Sequence, residues 1–254
     1  MRLSRIMVGM AMTARELLRS RLVLMLLLVI PSLFYTIVGL TGTDRLIAFK
    51  LAAIPAKPVI EVSERSESLV FIGTAVSGLL ASYLALGLMQ KQSEVNRRLV
   101  LCGYRPSELI GSKLAILLIV IVSVGIYVGG MLPIFFRPER IVPAILGFVL
   151  AGFVYACYGL LVGALLRREL EGVLFIVLLA NIDAGWLQNP VYYAGAQNQF
   201  IIRALPAYYP SQLGMIGAFT AYGVIRPVIA GMGYGLTLLL AALAAYFVRM
   251  RVRR

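Results

Sequence analysis

Asp183 is the residue whose type and position are best suited to chemistry, because it is an acid inside a long apolar run. It is the only charged residue between Gly172 and Ile202, and it follows Gly172 by 11 residues. A helix that begins at Gly172 would carry it about 16 Å, to near the middle of a bilayer. An ionisable group at that depth is energetically costly, so Asp183 is a candidate functional residue.

The sequence around Asp183 is polar and is broken by Pro190, in the stretch NIDAGWLQNP. Two interpretations remain open. Asp183, helped by Asn181, caps or hydrogen-bonds the broken end of the helix, since backbone groups freed at such a break need polar partners. Alternatively, these residues and the later LPAYYPSQ line a translocation path or gate. The predicted path and gate residues are Asn181, Asp183, Trp186, Gln188, Asn189, Pro206, Tyr208 and Tyr209.

Other chemistry is excluded by what the sequence lacks. There is no histidine, and Cys102 and Cys157 do not have the spacing of a metal site. No G-x-x-x-x-G-K-[ST] motif occurs, because the Gly-Ser-Lys at 111–113 has neither the upstream glycine nor a following Ser or Thr. We therefore expect no catalytic residues, no metal and no cofactor in this chain, and we do not expect it to be an enzyme.

Composition predicts the protein class. The chain is 61% hydrophobic, and its apolar residues form long uninterrupted runs rather than the alternation of a β-barrel. We predict an all-α integral membrane protein with a single transmembrane domain over residues 1–254. The net charge of +13 lies at the ends of the runs, where basic residues face lipid headgroups, so nucleic acid is not expected as a partner.

Six spans are predicted by the runs that lack charge. An amphipathic helix at 2–20 precedes them, which lies along the membrane surface or extends the first span. Tyrosines toward the predicted outer side of the membrane, such as Tyr192 and Tyr222, are expected to form an interfacial aromatic belt or a gate. The spans are predicted at 22–40, 69–90, 114–136, 141–166, 172–187 and 227–248.

Basic residues predict the orientation. With six spans, 16 of the 24 Lys and Arg residues lie on the side of the two termini, which is therefore expected to be cytoplasmic. A seventh span within 188–225 would move the C-terminal arginines to the other side. We therefore predict that 188–225 is an outer re-entrant region, with its broken backbone buried in protein or lining a cavity.

The charged segment at 91–113 is longer than a connection between two spans requires. It contains Glu94 and the pair Arg97-Arg98, then a turn at Gly103-Tyr-Arg-Pro106, then a helical pattern that leads into the third span. Pro106 suits the first turn of that helix. The predicted shape is a short cytoplasmic helix, a turn and a second helix.

The order of these elements resembles the ABC-2 type (type V) family of ABC exporter permeases. The motif is E-x-x-R, G-x-x-P and E-x-x-G-x-K across 94–113, although Leu99–Cys102 departs from the family pattern. The resemblance implies that a separate ATPase subunit, which binds ATP and Mg, docks on a coupling helix through Glu94, Arg97, Arg98, Gly103 and Pro106. It also implies that 2–20 is the connecting helix and that LPAYYPSQ is extracellular.

By the same resemblance, the chain is expected to pair with a second, identical or homologous permease subunit in the cytoplasmic membrane of a prokaryote. The expected substrates are amphipathic or lipophilic, such as drugs, lipids or lipid-linked molecules. The alternative function is a proton-coupled secondary carrier that uses Asp183 and needs no ATPase.

Glycine pairs in three spans predict close helix packing, within one subunit or between two. The glycine pairs are Gly125/Gly129, Gly159/Gly163 and Gly231/Gly235.

Overall fold

The computed structural model describes residues 3–51, 59–90, 106–166 and 168–252. Among these residues, six helices are long and apolar enough to cross a membrane, which is the predicted number and indicates a multi-pass membrane protein. The elements are α1 (Leu3–Arg19), α2 (Arg21–Thr41), β1 (Leu46–Lys50), β2 (Val59–Ser63), α3 (Glu64–Gln90), α4 (Pro106–Phe135), α5 (Ile141–Leu165), α6 (Glu169–Ile182), a π-helical turn (Asp183–Leu187), α7 (Pro190–Gly195), α8 (Gln199–Arg203), α9 (Tyr208–Phe219) and α10 (Ile225–Val252).

Helices α3 and α5 form the centre of the bundle, and α5 also packs against α4, α9 and α10. Glycines allow the closest approaches. At Gly159, an added Cβ would collide with the backbone of Ser82 on α3, and at Gly147 it would lie 2.7 Å from the Cα of Gly214 on α9. The predicted close packing therefore occurs within one subunit at Gly159. By contrast, α2 and α10 expose most of their apolar side chains.

A two-stranded hairpin joins α2 to α3, which the all-α prediction did not include. Strands β1 and β2 pair antiparallel, with Leu46 opposite Ser63 and Lys50 opposite Val59. The runs LIAFK and VIEVS contain the branched and aromatic residues that favour strands. Helix α7 packs against β1. We call this end of the bundle the hairpin end, defined by β1, β2 and α7.

The opposite end, which we call the base, consists of α1, the last turn of α3 and the first two turns of α4. Helix α4 is continuous from Pro106 to Phe135, so the second half of the charged segment is part of the third span. Proline is tolerated at a helix N-terminus because its missing N–H would be unpaired there. Helix α3 likewise begins at Glu64 rather than near 69, because the charged first turn continues directly from β2.

Helix α9 runs beside the first half of α5 and is buried along almost its whole length. The C-terminal end of α9 is fixed by two backbone hydrogen bonds, from Glu139 N to Ala218 O at 2.9 Å and from Arg140 N to Gly217 O at 3.0 Å. Its first residues lie beside Tyr155, about 20 Å along α5 from Ile141. The chain therefore returns into the bundle after α8 and leaves it again along α9.

Candidate functional site

The buried carboxylate of Asp183 holds together the point at which the fifth span loses regular α-helical geometry. Helix α6 ends at Ile182 and continues as the π-helical turn Asp183–Leu187. Single π-turns inside helices occur often at functional sites. The Asp183 side chain is fully buried, and its two oxygens accept hydrogen bonds from three donors.

Each donor comes from a different part of the chain. Tyr155 Oη of α5 donates to Asp183 Oδ2 at 2.7 Å, and the backbone N–H of Ala207 donates to the same oxygen at 2.8 Å. Gln188 Nε2 donates to Asp183 Oδ1 at 2.7 Å. We call Asp183, Tyr155, Gln188 and Ala207 the Asp183 cluster. All four residues are buried, so these bonds are shielded from water.

Gln188 extends the cluster to a further segment. Its Nε2 also donates to Ile202 O at 3.2 Å, one residue before the end of α8. Its Oε1 is buried and has no hydrogen-bond partner among the described residues. The amide orientation follows from this geometry, because the opposite orientation would place Oε1 against a carboxylate oxygen. Asp183 therefore fixes both the π-turn and the position at which the chain re-enters beside α5.

The structure brings together some of the predicted path residues and separates others. Asp183, Gln188, Pro206 and Tyr208 are all buried in or next to the cluster. Trp186 is 56% exposed, and Asn189 caps α7 through its Oδ1, which accepts from Val191 N. The predicted residues therefore do not form one continuous polar lining.

The prediction that Asn181 helps Asp183 to cap or hydrogen-bond the broken end of the helix is wrong. Asn181 is exposed, and its Nδ2 donates to Val177 O one turn earlier. Residues two apart on a helix point to nearly opposite sides, so Asn181 does not share the face of Asp183. Two partners of Asp183 were not predicted from the sequence, namely Tyr155 and the backbone of Ala207. The available signal was that Tyr155 is one of only two tyrosines in the apolar helix α5.

Aromatic side chains continue the cluster toward the hairpin end. The ring of Tyr208 lies 5.8 Å from that of Tyr193 and 5.1 Å from that of Tyr209, measured between centroids. Tyr193 Oη accepts a hydrogen bond from Arg203 Nε at 2.9 Å, which ties α8 to α7. Burial raises the pKa of Tyr208 above its usual value, so this hydroxyl stays protonated at neutral pH.

The base contains a second group of buried polar contacts. Lys113 of α4 is buried, and its Nζ donates to Leu88 O in the last turns of α3 at 3.1 Å. Glu16 of α1 lies close enough to Lys113 to interact with it electrostatically. Gly9 of α1 faces Ser112, where an added Cβ would lie 2.8 Å from Ser112 Oγ. Three helices therefore meet at Lys113.

The predicted coupling residues are only partly described. Pro106 begins α4, as its predicted position in the first turn requires. Glu94, Arg97, Arg98 and Gly103 lie outside the described residues. Among the described residues, no group of three or more acidic, cysteine or histidine side chains could hold a metal ion.

No protein-family model matches the chain, and no curated protein matches it. The resemblance to ABC exporter permeases therefore stays a prediction.

Proposed function

We propose that this chain is the permease subunit of an ATP-driven exporter of the ABC-2 type. In this proposal, a separate ATPase subunit binds ATP and Mg and docks on the segment around Glu94, Arg97, Arg98 and Gly103. Two permease subunits, identical or homologous, form the pathway in the cytoplasmic membrane of a prokaryote, with both termini on the cytoplasmic side.

The observation that carries this proposal is the Lys113 contact at the base. The segment 91–105 leaves α3 and enters α4, and these two helices are joined by the bond from Lys113 Nζ to Leu88 O. A partner that moves the segment would therefore move α3 and α4 together. Helix α1 packs against the same part of α4, where Gly9 faces Ser112 and Glu16 lies near Lys113. Helix α1 is amphipathic, which suits a position along the membrane surface beside this contact.

The hairpin end supports the proposal in a second way. Helix α9 returns into the bundle beside α5 between the Asp183 cluster and the hairpin end, and it is not one of the six candidate spans. Such a segment suits a gate that opens when the helices shift. The spans carry few charged residues, which fits a path for amphipathic or lipophilic substrates such as drugs, lipids or lipid-linked molecules.

The alternative, a proton-coupled carrier through Asp183, is less well supported. A carrier site must exchange its proton with water on each side in turn. Asp183 is fully buried, and its oxygens are occupied by three donors, one of them a backbone N–H that is fixed by the fold. This geometry favours a positioning role for Asp183.

Co-purification tests the proposal directly. The full chain, solubilised from its native membrane, is expected to bring an ATPase with it. Glu94→Lys and Arg97→Glu each reverse a charge in the predicted docking helix and are expected to reduce the recovered ATPase at least about tenfold, as for a central interface residue. Arg168→Glu is the matched control, because Arg168 is exposed on another loop and pairs only loosely with Glu171 at 3.8 Å. Its recovery should match wild type.

Transport measurements separate the two functions. In inside-out vesicles, the exporter needs ATP and continues when an ionophore removes the proton gradient. A carrier stops under the ionophore and runs without ATP. Recovery of the wild-type chain with no ATPase, or transport that follows only the proton gradient, would reject the exporter proposal.

A further inference from the structure

The last span is tied to the rest of the protein by one polar side chain. Within the described part of α10, Tyr234 is the one residue whose side chain hydrogen-bonds another element, since its Oη donates to Ala204 O at 2.9 Å. Thr237 donates instead to Tyr234 O inside the helix. Hydrogen bonds between a span and its neighbours help to hold membrane helices together. Tyr234 is therefore a candidate for controlling how α10 associates with the chain beside it.

Close packing of α10 on α5 sets the position of Tyr234. An added Cβ at Gly231 would lie 2.6 Å from a methyl group of Leu150, and one at Gly235 would collide with the ring of Phe153. Residues three and four apart share one face of a helix, so both glycines lie on the side that carries Tyr234. The glycines therefore bring this face of α10 against α5, beside the point where the chain returns into the bundle.

Residues 204–207, which we call the bend, connect α8 to α9 and are held on two sides. On the side of the fifth span, Ala207 N donates to Asp183 Oδ2 at 2.8 Å. On the side of the last span, Ala204 O accepts the bond from Tyr234. Among the described residues, α10 has no extended packing on α6, on the π-helical turn, on α7 or on α8. The bond from Tyr234 therefore ties the last span to the segment that follows the fifth.

The two attachments of the bend differ in strength. Asp183 accepts three buried bonds, and buried bonds that share one acceptor group support one another. The attachment at Tyr234 is a single bond between two neutral groups, and Ala204 is exposed, so a competing donor can replace the tyrosine hydroxyl. Of the two attachments, the one at Tyr234 is expected to release first.

The segment that such a release would free is α7 with α8, which we call the outer pair. Its two helices are joined by the bond from Arg203 Nε to Tyr193 Oη at 2.9 Å, and Gln199 Nε2 donates to Tyr193 O at 3.5 Å. On its other side the outer pair packs against β1 through α7. Once the bond at Tyr234 is broken, the pair can turn on its contacts with β1 and the Asp183 cluster, which opens a gap beside α10.

We propose that the bond from Tyr234 to Ala204 is a latch, which holds the outer pair closed against the last span and lets it swing away from α10 when the bond is released. Tyr234 is then a positioning residue for the outer end of the bundle. Passage of a substrate through the opened gap rests on the proposed transport function, whereas the latch itself would serve an exporter and a carrier alike.

Amide hydrogen exchange of the full chain in detergent measures the opening directly. In Tyr234→Phe, the amides of the bend, of α7 and of α8 are expected to exchange about fivefold faster, as for the loss of one neutral hydrogen bond. The amides of α9 and of the middle of α10 should exchange as in wild type. Tyr246→Phe is the matched control, because Tyr246 lies on the same helix and its ring contacts Phe247 instead. It should leave exchange at the outer pair unchanged.

A second pair of variants tests whether the outer pair moves as one body, which a bond with a purely local role would not require. Arg203→Gln removes the bond from Arg203 Nε to Tyr193 Oη. In that background, Tyr234→Phe should still accelerate exchange in α8 but no longer in α7. Arg226→Gln, which changes an exposed arginine at the start of α10, should leave the response of α7 intact.

Four results would overturn the proposal. Exchange at the outer pair that is the same in Tyr234→Phe and wild type would mean that the bond does not hold the pair closed. Acceleration confined to the bend, or a response of α7 that survives Arg203→Gln, would mean that the outer pair does not swing as one body. Equal acceleration in α9 and α10 would assign the hydroxyl to stability of the whole bundle. Because the assay contains no ATPase and no substrate, each result leaves the proposed exporter function to its own test.

Discussion

Removing the carboxylate of Asp183 is the most direct test of how the break in the fifth span is held. In Asp183→Ala, the hydroxyl of Tyr155, the amide of Gln188 and the N–H of Ala207 lose their shared acceptor, and all three are buried. An unsatisfied buried donor costs about 1 to 3 kcal/mol. Gln188 keeps its bond to Ile202 O, so its loss is partial. The expected destabilisation is about 3 to 5 kcal/mol.

Asp183→Asn is expected to cost less. The remaining oxygen can still accept from Tyr155 and Ala207, but the new NH₂ group then faces Nε2 of Gln188. Turning the Gln188 amide resolves that conflict by presenting its partnerless Oε1, at the expense of the bond to Ile202 O. One buried hydrogen bond is lost in total, so the expected cost is about 1 to 2 kcal/mol.

Two measurements report these changes. Thermal unfolding followed by Trp186 fluorescence should show a lower midpoint, by about 10 °C for Asp183→Ala and by about 4 °C for Asp183→Asn. Amide hydrogen exchange of peptides that contain Ala207 should accelerate by at least about 30-fold in Asp183→Ala, because local opening then needs about 2 kcal/mol less free energy.

Asn181→Ala is the matched control, since Asn181 lies two residues away on the same helix and its side chain bonds only to Val177 O. It should change the midpoint by less than about 2 °C. Unchanged hydrogen exchange at Ala207 in Asp183→Ala, or a midpoint lowered as much by Asn181→Ala as by Asp183→Ala, would contradict this role of the Asp183 carboxylate.

Two further predictions concern close helix contacts. Gly159→Ala should destabilise the chain by about 2 kcal/mol because its methyl group meets the backbone of Ser82, whereas Gly87→Ala, with open space, should be neutral or slightly stabilising in the same thermal assay. Gly9→Val should displace α1 from Ser112 and expose its amphipathic face to limited proteolysis. Equal cleavage in wild type and Gly9→Val would contradict that packing.

The number of spans could be predicted from the sequence because uninterrupted apolar runs of this length are a strong local signal. The start of α3 was harder to place, since the charged first turn from Glu64 lies outside the apolar run. The hairpin of β1 and β2 was not predicted, because strands of five residues carry little pattern of their own.

The site was predictable only in part. A single acid in an apolar run identified Asp183, since the cost of burying a charge makes such residues stand out. Its partners could not be predicted from the sequence, because Tyr155 and Ala207 are 28 and 24 residues away along the chain and contact Asp183 only through tertiary packing. The expected role of Asn181 was wrong because nearness in sequence does not give a shared helix face.

The central position of α5 has a consequence for biogenesis. This helix is the fourth of the six spans to be synthesised, yet α3, α4, α9 and α10 all pack against it. The second and third spans, α3 and α4, therefore enter the bilayer before their largest packing surface exists, whereas α2 packs mainly on α3, which follows it directly. The central packing of the bundle forms only after Ile141–Leu165 has left the ribosome.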